Sequence, residues 1–278
     1  AGSTLFSVFK IALGAAATVL LIGVISGLVF MGALAEYLQN DILKEAQNWS
    51  YEDYDVEKTS YVHYVDSDGN IQLLQQIYTT TDRQPATWDE IPQALVDATV
   101  AIEDKRFYEH QGVDWITTVK ACANMFFGGD SQFGGSTITQ QLVKNTTDEK
   151  SITEQRKVME IFRAQLLEKE YDKDIIMKEY LNRIYLGKGC YGVKSAAAAY
   201  FGKELQSLTV AECASLISIT NNPSLFNPYS TSVYMYKGEM RNGQQRNRYR
   251  QESVLSEMLN QGYLTEEEYV TAFNQVLV

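Results

Sequence analysis

Histidine and cysteine are scarce in this chain, and positive charge is outweighed by negative. Only His63 and His110 occur among 278 residues, too few for a multi-histidine metal site. Cys122, Cys190 and Cys213 are odd in number and none belongs to a Cys-x-x-Cys pair, so a thiol-based zinc or redox centre does not fit. With 24 Lys and Arg against 35 Asp and Glu, the formal charge is −11. That is the wrong sign for following nucleic-acid phosphates, and no nucleic-acid partner is expected. A phosphorylated ligand is still allowed wherever a few cations converge. The remaining composition, 45 % hydrophobic and 21 % charged, is that of a globular protein and excludes disordered or collagen-like chains. The length suffices for one full core beside one anchoring segment.

One stretch lacks charge altogether. Ile11 to Ala35 supplies 25 uncharged residues, where a helix needs about 20 to cross the hydrocarbon of a bilayer. The apolar core of a signal peptide is shorter, about 7–15 residues. Lys10 precedes the stretch and Glu36, Asp41 and Glu45 follow it, which orients residues 1–10 to the cytoplasm and the rest outside. Residues 36–58 are expected to form a polar, helical stalk. Residues 59–87 change period: Tyr61, His63 and Val65 alternate with Val62 and Tyr64, then an Asp68-Gly69 turn leads to Ile71, Leu73 and Ile77. This predicts a β-hairpin, the one convincing piece of β-structure. Residues 88–278 read as a helical domain. Start signals recur at Ser151 with Glu154, Thr209 with Glu212 and Thr265 with Glu268. Ile176, Met177, Tyr180, Leu181 and Ile184 form a core stripe, and the glycine-rich Phe127 to Gly135 is expected to be a mobile loop.

Three segments could carry chemistry. In the first, Glu103 and Asp104 end the apolar run Asp97 to Ile102, with Phe107, His110 and Gly112 beyond. An acid beside buried apolar groups is desolvated, which tunes it for proton transfer. The competing reading is a solvated helix end, with His110 a structural hydrogen-bonding residue. In the second, two glycines precede Ser136 and Thr137, and Thr137, Gln140, Gln141 and Lys144 recur every three to four residues. One helix face would then carry a hydroxyl, amides and an ammonium behind an anion-favouring N-terminus, which suits a sugar phosphate. An ordinary amphipathic helix fits that spacing equally. In the third, Arg156, Glu160 and Arg163 share a stripe beside a buried one of Met159, Phe162 and Leu166. This is either an i,i+4 ion pair, or two arginines facing a diphosphate while Glu160 orients them or binds a metal carried by it.

These segments resemble, in this order, the motifs of glycosyltransferase family 51, the transglycosylase domains of class A penicillin-binding proteins and their monofunctional relatives. The matches are EDxxFxxHxG at Glu103 to Gly112, GGSTxTQQLVKN at Gly134 to Asn145, and RKxxE at Arg156 to Glu160. KxxIxxxYLNxxYxG is nearly met from Lys173 to Gly187, with Asn182 and Tyr185 in register. A fifth stretch, Ala211 to Pro228, lacks the usual Leu-Pro-Gln but keeps Pro223, Asn227 and Pro228. The resemblance covers about residues 60–275. It implies a mainly α, lysozyme-like glycosyltransferase domain whose small jaw faces the membrane, carrying a small β-hairpin behind an N-terminal transmembrane helix. It also implies inverting transfer from a glycan chain on undecaprenyl diphosphate to the 4-hydroxyl of lipid II.

By motif position, Glu103 takes the acceptor proton and Glu160 supports departure of the diphosphate. Ser136, Gln140, Lys144, Arg156 and Lys157 hold donor sugar and phosphates. Asp104, Phe107, His110, Thr137, Gln141 and Asn145 fall on the substrate side of the same motifs, and Asn182 buttresses the cleft. A divalent cation, Mg or Mn, would sit at Glu160; no organic cofactor is implied. The expected partners are lipid II, the lipid-linked glycan chain, the bilayer and other cell-wall synthesis proteins. Ala121 to Phe127 either dips into lipid or packs in the core.

Two other classes stay in view. A lysozyme-like lytic enzyme also uses a catalytic Glu, but it does not require Lys144, Arg156 and Lys157 converging on a diphosphate. A catalytically silent scaffold does not require both acids. No Ser-x-x-Lys with transpeptidase partner motifs is present, and residues 229–278 leave no space for such a domain. The chain is therefore expected to be a monofunctional enzyme or the first domain of a bifunctional one.

Overall fold

The computed structural model describes residues 2–37, 39–40, 43–51, 60–67, 69–77, 82–120, 135–147 and 154–277. It divides into two compact units, Ala1–Trp49 and Ser50–Val278.

The first unit is built on the helix Gly2–Tyr37. From Ala17 to Tyr37 it is long and apolar enough to cross a membrane, with a mean hydropathy of 2.4 and no part of that window buried. Leu20, Val29 and Phe30 point outward, the reverse of a soluble core helix. Within the span expected to be a stalk, a short helix covers Leu43–Gln47, and residues 52–59 lie outside the described set.

The second unit begins with the expected hairpin, Ser60–Val65 antiparallel to Ile71–Ile77, with a register slip between Val62 and His63. Asp68 lies outside the described residues, but Gly69 takes φ +85°, a conformation that excludes most side chains. Helices dominate thereafter. Gln93–Glu103, Val210–Ser218 and Gly243–Asn260 pack on one another, and Ile138–Thr147 packs against both Glu154–Glu170 and Lys173–Arg183. Val210–Ser218 is buried on every side from Ala211 onward. Its polar groups are satisfied inside: the Ser215 hydroxyl donates to Asn247 Oδ1 at 2.7 Å, and the Asn247 amide donates to the Ser215 and Phe226 carbonyls at 3.0 Å. Buried polar groups persist only with such partners.

The capping boxes at Thr209–Glu212 and Thr265–Glu268 form as expected, and a further one closes on Asn242–Gln245. Ser151 is outside the described residues, as are Ala121 to Gly134, where the lipid-dipping segment, most of the glycine-rich loop and Cys122 fall. The Ile176 to Ile184 stripe is buried throughout. The stripe assigned to Met159, Phe162 and Leu166 is not: Met159 is buried, Phe162 and Leu166 are half-buried, and Arg163, Ala164 and Leu167 fill the inner face. That helix packs against Ile138–Thr147 and, at Ala164, against Gly112, so its buried arc is rotated from the one hydrophobicity alone selects.

Two β-pairings were not anticipated. Tyr234–Tyr236 pairs antiparallel with Glu239–Arg241, and Asp82–Arg83 pairs parallel with Cys190–Tyr191. Strands of two or three residues are too short to show alternation. The longer of these pairings is pinned by Arg246, fully buried, which donates to the carbonyls of Leu225, Ser232 and Arg241. Cys190 and Cys213 are buried free thiols; burial pushes Cys213 up to about 12, so it is inert at neutral pH.

Candidate active site

Glu103 is the last residue of the helix Gln93–Glu103, and Asp104 is its C-cap. The two neighbouring acids part there. Asp104 turns inward, 7 % exposed. Its carboxylate accepts hydrogen bonds from His110 Nε2 at 2.9 Å and from the backbone N–H of Ile138 at 3.0 Å. It thus places negative charge at the start of the helix Ile138–Thr147, where the helix dipole favours it. Lys173 Nζ donates to the His110 carbonyl at 2.8 Å and lies 4.3 Å from the centroid of the Phe107 ring; Phe107 is fully buried.

Gly112 closes this brace. It has φ +85°, and a Cβ there would meet the Ala164 carbonyl oxygen at 2.6 Å, so only glycine allows the two backbones to approach so closely. Its carbonyl accepts the Thr137 hydroxyl at 2.6 Å. Asp104, Phe107, His110 and Gly112 therefore lock helices together. Beside them, Arg106 Nε donates to Asp114 Oδ2 at 3.0 Å. Burial pushes Asp114 up, but hydrogen bonds from Arg106 and Thr117 outweigh it and hold the carboxyl well below the usual range.

Glu103 faces a different set of partners. It is half-buried. Gln141 Nε2 donates to its Oε2 at 2.9 Å, and Thr220 Oγ1 lies 2.7 Å from its Oε1. The Tyr180 hydroxyl donates to Gln141 Oε1 at 3.3 Å and so fixes which way the amide points. Burial, then the nearby charges of Glu103 and Asp104, push Tyr180 well above its ordinary value, so it remains a neutral donor. Thr220 is a site residue the sequence reading missed. It is 117 positions from Glu103, and its only local signal is its place in the fifth, divergent motif.

Glu160 sits among cations. It is 4 % exposed. Lys157 Nζ bonds its Oε1, and Arg156 Nη1 is 3.8 Å from its Oε2. Lys157 also donates to Ser136 Oγ at 2.8 Å, and its side chain is 41 % exposed, leaving the ammonium within reach of solvent. Thr137 and Gln140 form a reciprocal box at the start of Ile138–Thr147, the Thr137 N–H donating to Gln140 Oε1 at 2.9 Å and the Gln140 N–H to Thr137 Oγ1 at 3.1 Å. Lys144 and Asn145 are exposed on the same helix. Asn182 is buried and clamps Ala86, accepting its N–H at 2.7 Å and donating to its carbonyl at 2.9 Å.

The site residues thus fall into two groups. Asp104, Phe107, His110, Thr137, Gln140 and Asn182 spend their functional groups or their bulk on the framework rather than on open space, because each is buried against a partner. Glu103 is held by Gln141, and Ser136, Lys157, Glu160 and Arg156 form a second linked set. Glu103 is tied through Gln141 to the helix Ile138–Thr147, and Glu160 is tied through Lys157 to Ser136, which precedes that helix. The two anchor points, Ser136 and Gln141, are five residues apart in the chain. A divalent cation fits this donor set poorly. Both Glu160 oxygens face cations, and among the described residues no three His, Cys, Asp or Glu side chains cluster as ligands.

Residues 70–263, which include every residue of this site, match the family described as Transglycosylase. The chain is 38 % identical over 210 residues to penicillin-binding protein 1F of Bacillus subtilis, a match covering 76 % of this chain and 28 % of the relative. It is 39 % identical over 213 residues to penicillin-binding protein 1A of Escherichia coli, covering 73 % and 24 %. A crystal structure of penicillin-binding protein 1A from Haemophilus influenzae aligns with a TM-score of 0.41 at 24 % identity, over 80 % of this chain and 21 % of that one. The chain spans about a quarter of the length of the curated relatives it matches.

Proposed function

The chain belongs to the transglycosylase family, and from that membership we propose that it is a peptidoglycan glycosyltransferase. It polymerises lipid II into β-1,4-linked glycan, releases undecaprenyl diphosphate and inverts the donor's anomeric centre. The observation that carries this reading is the pair of acids with opposite surroundings, Glu103 tied to the helix Ile138–Thr147 and Glu160 to Ser136 just before it. Such a reaction needs two things at once: a base for the acceptor hydroxyl and positive charge where the diphosphate departs.

In this reading Glu103 accepts the proton of the acceptor 4-hydroxyl as that oxygen attacks the donor's anomeric carbon. Gln141, aimed by Tyr180, keeps the carboxylate pointed into the site. The bond to the diphosphate oxygen breaks, and Lys157 and Arg156 stabilise the charge that develops there. Glu160 holds those two cations in place, with Ser136 fixing Lys157 from the other side. Lys144 and Asn145, exposed on the helix that carries Gln141, are in position to meet the donor's sugar or phosphates. No step is assigned to a metal held by the protein, because the side chains at Glu160 supply cations instead of ligands.

The apolar helix serves this chemistry as a single-pass anchor, its N-terminus in the cytoplasm and the catalytic unit on the outer side of the bacterial cytoplasmic membrane. Lys10 before the span and Glu36 after it support that direction. A lipid-linked donor and acceptor then share the enzyme's own bilayer. The purified chain in detergent is expected to convert lipid II into glycan polymer, read by gel or chromatography. Cleavage of finished glycan without polymerisation would instead establish the lytic activity that shares a catalytic Glu.

A further inference from the structure

We propose that Thr220 is a positioning residue for Glu103, holding the base's Oε1 in both of its protonation states; this rests on the reading of Glu103 as the base. The Thr220 hydroxyl oxygen lies 2.7 Å from Glu103 Oε1 and also 2.7 Å from the Ile217 carbonyl oxygen. It has one hydrogen and two acceptors at equal distance. A hydroxyl both donates and accepts, so the pair of distances fits two arrangements of the same heavy atoms. While Glu103 is ionised, the Thr220 O–H donates to Oε1. Once Oε1 carries a proton, that proton is donated to Thr220 Oγ1, and the Thr220 hydrogen turns to the Ile217 carbonyl.

Gln141 cannot do this. Its Nε2 only donates, and Tyr180 fixes the amide by bonding its oxygen. Glu103 Oε2 thus has in Gln141 a partner that cannot accept its proton, whereas Oε1 has in Thr220 one that can. The balance is simple. The acceptor O–H bond breaks as its oxygen bonds the anomeric carbon, and the diphosphate leaves with the electron pair of the broken C–O bond. The proton stays on Glu103 Oε1 against Thr220 until water takes it and the base is restored. Thr220 follows the helix Val210–Ser218, in the stretch that lacks the family's usual Leu-Pro-Gln. A plain alternative is that it merely caps the Ile217 carbonyl at a helix end. The two differ in what loss of the hydroxyl does to catalysis.

The test is lipid II polymerisation by the purified full chain in detergent, comparing wild type with Thr220→Val, Thr220→Ser and Thr220→Ala. Valine keeps the shape and removes the hydroxyl. It is expected to lower kcat about tenfold to a hundredfold, the scale of a hydrogen bond to a charged group, with KM within about twofold. Its acid limb of activity is expected to move to higher pH, since the ionised base loses a donor. Tyr180, which feels the charges of both Glu103 and Asp104, and His110 against Asp104 are the same in all variants. Serine is expected to restore wild-type kcat to within about threefold, and alanine to match valine should valine fail to fold. Wild-type kcat and pH profile in both Thr220→Val and Thr220→Ala would overturn the proposal, as would Thr220→Ser being as slow as Thr220→Val. Glu103→Gln in the same assay separates the two levels: if it stays fully active, the base assignment falls; if it is inactive while Thr220→Val is normal, only the role of Thr220 falls.

Discussion

Glu103 and Glu160 are the same residue type in the same domain, and their partners give them opposite surroundings. Glu103 is half-buried and held by two neutral groups, Gln141 and Thr220. Glu160 is buried and held by two cations, Lys157 and Arg156. A carboxylate that must gain and lose a proton needs partners that tolerate both states, and neutral amides and hydroxyls do. A carboxylate set between an ammonium and a guanidinium can hold those cations where another anion will come. In the proposed function, the surroundings, more than the residue type, assign the two roles.

The largest effect expected from this contrast is at Glu103. Glu103→Gln removes the proposed base yet keeps the shape, and polymerisation is expected to fall about a thousandfold, within the range of general-base catalysis. Binding of a donor analogue should be nearly unchanged, as a titration in detergent would read. Glu160→Gln is expected to cost less, about a hundredfold, because it loosens Lys157 and Arg156 without deleting them. Lys157→Ala should resemble it. If Glu160→Gln costs as much as Glu103→Gln and flattens the pH profile too, the division of labour is wrong and Glu160 shares the proton transfer.

The comparison also rests on a shared mount, since Glu103 is tied through Gln141, and Glu160 through Lys157 and Ser136, to the segment around the helix Ile138–Thr147. Gly112 is where that mount is tightest. Gly112→Ala would place a methyl 2.6 Å from the Ala164 carbonyl oxygen in a backbone conformation with φ +85°. A destabilisation of about 2 kcal/mol or more is expected from overpacking and strain together, measured as a lowered denaturation midpoint. Unchanged stability would mean that the helix Glu154–Glu170 can slide, and with it Glu160.

Much of this was legible from the chain. The uncharged run, the hairpin period and the paired Thr and Glu starts are local patterns, and they formed where local physics put them. Glu103 and Glu160 were also legible, as motif positions. The framework roles were not. Nothing near Asp104 announces that it will cap a helix 34 residues on, and nothing near Gly112 announces Ala164. Thr220 is the extreme case, a hydroxyl that matters only because the fold brings Val210–Ser218 beside Gln93–Glu103. Spacing reports which residues share a face of their own helix; it does not report which other helix that face will meet. The misjudged stripe on Glu154–Glu170 has the same origin, since Arg163 is buried by neighbours the segment itself cannot reveal.

A third carboxylate sharpens the contrast from outside the site. Asp114 is gripped by Arg106 much as Glu160 is gripped by Lys157, but it serves a helical segment at 115–120 by accepting the Thr117 N–H at 3.0 Å. Its folded value lies below the ordinary carboxylate value of about 3.9. The stability it adds is therefore fully present above the unfolded value and is lost as pH falls through the folded one. Asparagine can still cap the segment, so Asp114→Asn isolates the charge. The variant is expected to melt a few degrees below wild type at neutral pH and no more, because Arg106 is 32 % exposed and the pair is partly screened. The gap should hold down to about pH 5 and close as the pH drops below about 4. A gap that persists unchanged into strong acid would show that Asp114 acts by shape instead of charge, and that a cation's grip on a carboxylate in this domain is not by itself a sign of electrostatic work.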